Sequence, residues 1–230
     1  MDGVEGYSHE AFIQECRAFP QLVPIAGYHP IRDAAPDALR KLRDMGFCGI
    51  KIHPRFSGLT NSLETLAPTL QYAGEVGLIV FLCTYLHCGL TAYPKADPLH
   101  SIVNLLRETP QTRVVLVHGG DVNLLRFAEV VRFNNNLLLD LSMSMMKYEG
   151  SSIDQDIDFL FRRFDRRICI GTDWPEYSHQ EVRERFEHFA RDLPQPKRFN
   201  IAYRNLVGFL GIEQRFQSSV WWAGECEGSK

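Results

Sequence analysis

Short apolar runs with no internal polar alternation recur along this chain, each followed by a longer amphipathic stretch, and that rhythm limits the possible folds more than any other feature. The runs are LVPIAGY from Leu22, GIKI from Gly49, LIVFLC from Leu78, RVVLV from Arg113, LLLDLS from Leu137 and ICIG from Ile168. A strand that faces water on one side alternates apolar and polar residues, whereas a strand covered on both faces does not. Runs of this kind separated by helix-length segments predict parallel strands joined by crossover helices, in a barrel or a doubly wound sheet. Pro36 and Asp37 are placed to open the helix DALRKLRDMG, which closes at Gly46. Asp97 precedes Pro98 at the start of DPLHSIVNLLRE, Asp121 is placed to cap NLLRFAEVVRF, and Ser178 to cap HQEVRERFEHFARDL. A last helix runs through FNIAYRNLVGFLG, with Asn205, Leu206 and Phe209 at helical spacing.

Composition sets the outer bounds. With 230 residues, 45% hydrophobic and 23% charged, the chain can bury one sizeable core. We expect one domain over residues 1–212 and a tail over 213–230, in which Trp221 and Trp222 would dock on the body or on a neighbouring subunit. A net charge of -3 gives no basic field for a phosphate backbone, so nucleic acid is excluded as a partner. No apolar stretch approaches the ~20 residues that span a bilayer, and MDGVEGYSHEAF lacks the basic and apolar regions of a signal peptide. The expectation is a soluble, cytoplasmic protein without a membrane partner. The six cysteines are scattered with no CxxC pair, which points to free thiols in a reducing compartment and not to structural zinc.

In parallel β/α folds the chemistry sits at the C-terminal ends of the strands. His29, Pro30 and Arg32 follow the first run, and His53, Pro54 and Arg55 follow GIKI. Thr84, Tyr85 and His87 follow LIVFLC, His118 to Asp121 follow RVVLV, Ser144 follows LLLDLS, and Thr172, Asp173 and Trp174 follow ICIG. A lone histidine is more often structural than a ligand. Several converging from separate strands on one face shift that balance. In VLVHGGD the imidazole of His118 emerges from a buried strand, and Gly119 and Gly120 would let a metal or substrate approach. In CIGTDWP the carboxylate of Asp173 could bind a metal, take a proton from a bound water, or cap a helix.

GIKIHP, VLVHGGD and GTDWP, in this order on successive strands and followed by NIAYRNLVGFLGI, resemble the amidohydrolase-related family of metal-dependent hydrolases, in the branch of aminocarboxymuconate-semialdehyde decarboxylase. The resemblance covers roughly Phe12 to Ile212. It implies a TIM (β/α) barrel binding a divalent metal, most plausibly zinc, with His118 as a ligand and Asp173 as ligand and catalytic proton carrier. Where the family has a further ligand histidine this chain has Cys83, so that ligand is either replaced, by Cys83 or by His87, or lost. The family's first strand carries a His-x-His pair that has no match here, so the resemblance implies a barrel without its first two strands. His29, Arg32, Lys51, His53, Arg55, Tyr85 and Trp174 are the candidates for substrate contact, the arginines suiting a carboxylate. The expected function is metal-dependent C–N or C–O hydrolysis, or decarboxylation, of a small carboxylated substrate, with self-association left open. The alternative is a metal-free degenerate barrel that binds a ligand or a protein.

Overall fold

The computed structural model describes residues 7–34 and 37–216. Pro36 and the tryptophans at 221 and 222 lie outside the described residues. Each apolar run supplies a strand: β1 (Ile25–Gly27), β2 (Gly49–Ile52), β3 (Ile79–Cys83), β4 (Val114–Val117), β5 (Leu137–Asp140) and β6 (Ile168–Cys169). They form one parallel sheet in chain order, with Gly49 opposite Ile79, Cys83 opposite Val117 and Asp140 opposite Cys169. A doubly wound sheet reverses its strand order at a switch point; this one does not.

Alternate residues of each strand enter two different cores, as the pleat requires. Val80, Leu82, Val114, Leu116, Leu139 and Ile168 pack outward with helical residues such as Leu105, Phe127, Leu160 and Phe161. Ile79, Val115, Val117, Leu138 and Cys169 point to the concave face and form a second core with Phe81, Leu206, Phe209 and Leu210. That division is the signature of a β/α barrel, here open, because β1 and β6 do not pair with each other.

Both edges of the open sheet have partners for their backbone groups. At β1 the Gly27 N–H donates to the Tyr7 hydroxyl at 3.2 Å, and its carbonyl lies 2.7 Å from His9 Nε2. At β6 the Asn205 amide donates to the Ile168 carbonyl at 2.7 Å. An unpaired strand edge is a template for association, and these side chains occupy part of it.

The helices are α1 (His9–Arg17), α2 (Ala38–Met45), α3 (Ala67–Glu75), α4 (Pro98–Glu108), α5 (Leu124–Arg132), α6 (Ser144–Lys147), α7 (Ile153–Arg163), α8 (His179–Ala190), α9 (Gln195–Phe199), α10 (Asn205–Leu210) and α11 (Glu213–Phe216). The Asp97 side chain caps α4 through Leu99 N–H, with Pro98 in the first turn, and Ser178 with Glu181 closes a capping box on α8. Gly46 ends α2 in the left-handed conformation that glycine tolerates. Two expectations change. Asp37 precedes α2 without a side-chain cap bond, and Asp121 does not cap α5, because its carboxylate turns inward. The last helix also is not uniform, since a π turn at Asn200–Arg204 separates α9 from α10. Among the described residues no helix is long and apolar enough to cross a membrane.

Candidate active site

Four non-glycine residues just beyond β4, β5 and β6 have positive φ: His118 (69°), Asp121 (58°), Met143 (60°) and Asp173 (52°). The left-handed region costs a residue with a Cβ about 1–2 kcal/mol, so packing around the strand ends must hold these four in place. Strain of this kind gathers where side chains have to be aimed.

His118 is aimed by the end of β5. Its Nδ1 lies 3.2 Å from the Ser142 carbonyl, an acceptor only, so Nδ1 carries the proton and Nε2 faces the other way. Ser142 is fixed by Asp140, whose carboxylate accepts from the Ser142 N–H at 3.1 Å and from its hydroxyl. The Ser144 hydroxyl donates to the His118 carbonyl at 2.6 Å. Nε2 then stands 3.9 Å from Asp173 Oδ2, and Lys51 Nζ stands 3.6 Å from Asp173 Oδ1. Burial pulls the His118 pKa down, but the hydrogen bond and charge of Cys83, with Asp140 and Asp173, outweigh it and raise the value. The Cys83 thiol shows the reciprocal effect: burial pushes it up, while hydrogen bonds from His118 and His53 bring it to about 6.

These groups open onto a cavity of about 600 Å³ at the strand ends. Of the residues singled out in the sequence, Lys51, His53 and Arg55 after β2, Cys83 and Tyr85 at β3, His118 after β4, and Asp173 and Trp174 after β6 line it. His29, Arg32 and His87 do not. His29 Nδ1 lies 3.2 Å from the N–H groups of both Ile31 and Arg32, so it organises the turn after β1. His87 turns instead to Asp121, with Nε2 3.0 Å from Oδ2.

Asp121 is the centre of a group the sequence did not reveal. Its side chain is 1% exposed; Oδ1 accepts the Tyr148 hydroxyl and lies 3.6 Å from Lys147 Nζ. Lys147 lines the cavity and stands 4.0 Å over the Tyr85 ring, with the Arg55 guanidinium 4.7 Å over the same ring. The available signal was faint: Lys147 is the sole basic residue in LSMSMMKYEGSS, the segment between β5 and α7.

The role expected of Gly119 and Gly120 also changes. A Cβ on Gly120 would lie 2.0 Å from the Phe127 ring and one on Gly119 2.7 Å from Leu124, so these glycines let α5 close on the sheet. The Gly120 N–H donates to Thr84 Oγ1 at 2.8 Å, tying the loop to the end of β3. The missing side chains make room for the helix, not for a ligand.

The donor set fits part of a metal shell. Two bonds of ~2.1 Å, typical of zinc to nitrogen or oxygen, span up to about 4.2 Å, and the 3.9 Å between His118 and Asp173 lies within that reach. No group of three His, Cys, Asp or Glu side chains suited to a metal occurs among the described residues. A catalytic zinc takes about three protein ligands, and His118 with Asp173 gives two. Beyond that pair, the cavity offers three basic side chains, Lys51, Arg55 and Lys147, against the carboxylates of Asp173 and Glu176, and aromatic walls from Phe56, Tyr85, Trp174 and Tyr177. A flat anion suits such a lining.

A family profile described as Amidohydrolase matches residues 3–205. No curated protein sequence matches the chain. Among solved structures, an uncharacterised TIM-barrel protein from Bordetella bronchiseptica is 19% identical with a TM-score of 0.71, over 90% of this chain and 73% of that one. A 5-carboxyvanillate decarboxylase from Sphingomonas paucimobilis is 14% identical with a TM-score of 0.63, over 89% and 71%. A dihydroxybenzoic acid decarboxylase from Polaromonas, solved with manganese and 2-nitroresorcinol, is 13% identical with a TM-score of 0.59, over 91% and 76%. At these identities the likeness establishes a shared TIM-barrel fold.

Proposed function

The chain belongs to the amidohydrolase family, and we propose that it is a metal-dependent hydrolase or decarboxylase acting on a small carboxylated substrate at the strand ends. The observation that carries this reading is Asp173, a partly exposed carboxylate of the cavity lining within 4 Å of both His118 Nε2 and Lys51 Nζ. A divalent metal bound by His118 and Asp173, zinc by the type of donors, would polarise a substrate oxygen as a Lewis acid. The remaining steps belong to the chain's own side chains. The cations of the cavity hold the substrate's carboxylate, and the aromatic walls align its plane and limit the access of water. Asp173, with a side chain 23% exposed, can take or return a proton at Oδ1 or Oδ2, and Lys51 Nζ holds it in place from 3.6 Å. Hydrolysis follows where a water is admitted beside Asp173; decarboxylation follows where it is excluded and a proton is delivered to carbon. Free Cys16, Cys48, Cys83, Cys88 and Cys169 support a reducing, cytoplasmic setting.

Zinc or manganese titrated into the full chain, followed by a panel of aromatic carboxylates, lactones and amides, tests this reading. It expects metal uptake that His118→Ala abolishes and turnover of at least one carboxylated compound. The two-donor count favours one other reading, a metal-free ligand-binding module. Carboxylate binding with neither metal uptake nor turnover would establish that one instead.

A further inference from the structure

We propose that Lys147 is the cation that selects the substrate's carboxylate, and that Asp121, out of reach of the substrate, is the positioning residue that aims it; this rests on the carboxylated-substrate reading above. The three cations of the cavity differ in where their partners lie. Lys51 is engaged by Asp173. The Arg55 guanidinium lies over the rings of Phe56 and Tyr85, 4.7 Å from each, and spends Nη1 on the His87 carbonyl at 3.2 Å. Lys147 is held by Asp121, 3.6 Å away, by the Tyr85 face, 4.0 Å away, and by Tyr148. Lys147 lines the cavity and Asp121 does not, so its counter-ion occupies no substrate space.

Asp121 makes this placement rigid. Its side chain is almost fully buried, so water cannot neutralise it and its neighbours must. Tyr148 donates its hydroxyl to Oδ1, His87 closes on Oδ2, and Lys147 is the cation on the cavity side. The positive φ of Asp121 turns the carboxylate inward, away from the start of α5 where an aspartate at this place would cap the helix. The Tyr148 ring, 5.0 Å from Lys147 Nζ, borders the ammonium alongside Tyr85. An aromatic-lined ammonium held at fixed distance from a buried counter-ion keeps its charge and has little freedom to leave the site.

Benzoate and its neutral isostere benzamide separate anion selection from mere packing. Binding of each is measured by calorimetry to the wild-type chain and to Lys147→Met, Lys147→Arg and Asp121→Asn, with thermal melts to confirm folding. Benzoate should bind the wild type about tenfold or more tightly than benzamide, a charge-assisted contact being about twice as strong as a neutral one. Lys147→Met should remove that preference while benzamide binding stays within about twofold, and Lys147→Arg should restore part of it. Asp121→Asn should weaken benzoate about three- to tenfold with benzamide unchanged, since the ammonium is present but no longer aimed. Retained benzoate preference in Lys147→Met would overturn the inference and leave the carboxylated-substrate reading intact. No benzoate preference in the wild type would overturn both. Should Asp121→Asn fail to fold, the lysine variants decide.

Discussion

Asp173 and Asp121 are carboxylates of the same kind, each a few residues past a strand end, each at positive φ and each 3.6 Å from a lysine ammonium. They differ in what surrounds them. Asp173 is 23% exposed and shares the cavity with His118 and Lys51, whereas Asp121 is 1% exposed and sealed by His87, Lys147 and Tyr148. An exposed carboxylate can exchange protons with a substrate; a sealed one can only organise its neighbours. On the function proposed above, the same residue type would do chemistry in one place and hold a chemical group in the other.

The sharpest break in this comparison is stability. Asp121→Asn leaves the Lys147 charge facing a neutral amide and should cost about 2–3 kcal/mol, below the usual 3–5 for a buried pair because Lys147 is 32% exposed. Asp173→Asn should cost under about 1 kcal/mol, as expected for a partly solvated pair. Urea unfolding of the two variants checks this, and equal losses would dissolve the distinction. The loop that carries Asp121 can be tested from its other end. Gly120→Ala forces a Cβ into the Phe127 ring at a φ of +78° and should cost about 2–4 kcal/mol by overpacking and left-handed strain, lowering the melting temperature as far as Asp121→Asn does.

The strands were legible because burial on both faces leaves an uninterrupted apolar run, and every run became a strand. The caps at Asp97 and Ser178 were legible because capping is decided within one helical turn. His118 and Asp173 stood out by resemblance and by position, and the structure places them on one cavity. Asp121 and Lys147 did not stand out, because their pairing joins the loops after two different strands and depends on a left-handed residue that no local pattern announces. His87, one of the two possible replacements for the family's further ligand histidine, turns instead to Asp121 of β4's loop, a contact between loops that no local pattern announces.

Smaller effects concern protons at the Asp173 end. A divalent metal bound as proposed at His118 would have to displace its proton, and the His118 pKa is raised, against burial, chiefly by Cys83. Metal affinity should therefore strengthen as pH rises through that value and level off above it, which calorimetry across pH 5.5–8 (about the range in which imidazoles titrate) would show. Cys83→Ser removes the thiolate and should let the His118 pKa fall, an NMR-observable shift to lower pH. A depressed thiol pKa of about 6 stabilises the fold fully only above the ordinary thiol value. The contribution fades as pH falls toward 6, and Cys83→Ser should flatten that slope.

The most direct test separates the two carboxylates by kinetics on one carboxylated substrate that the wild type turns over with metal present. Asp173→Asn should lower kcat by about 10²–10⁴, the range for losing a general acid–base, with KM little changed. Asp121→Asn should raise KM about three- to tenfold and leave kcat within about twofold, the pattern of lost uniform binding. A kcat retained in Asp173→Asn, or lost to the same degree in Asp121→Asn, would contradict the assignment of the chemistry to Asp173.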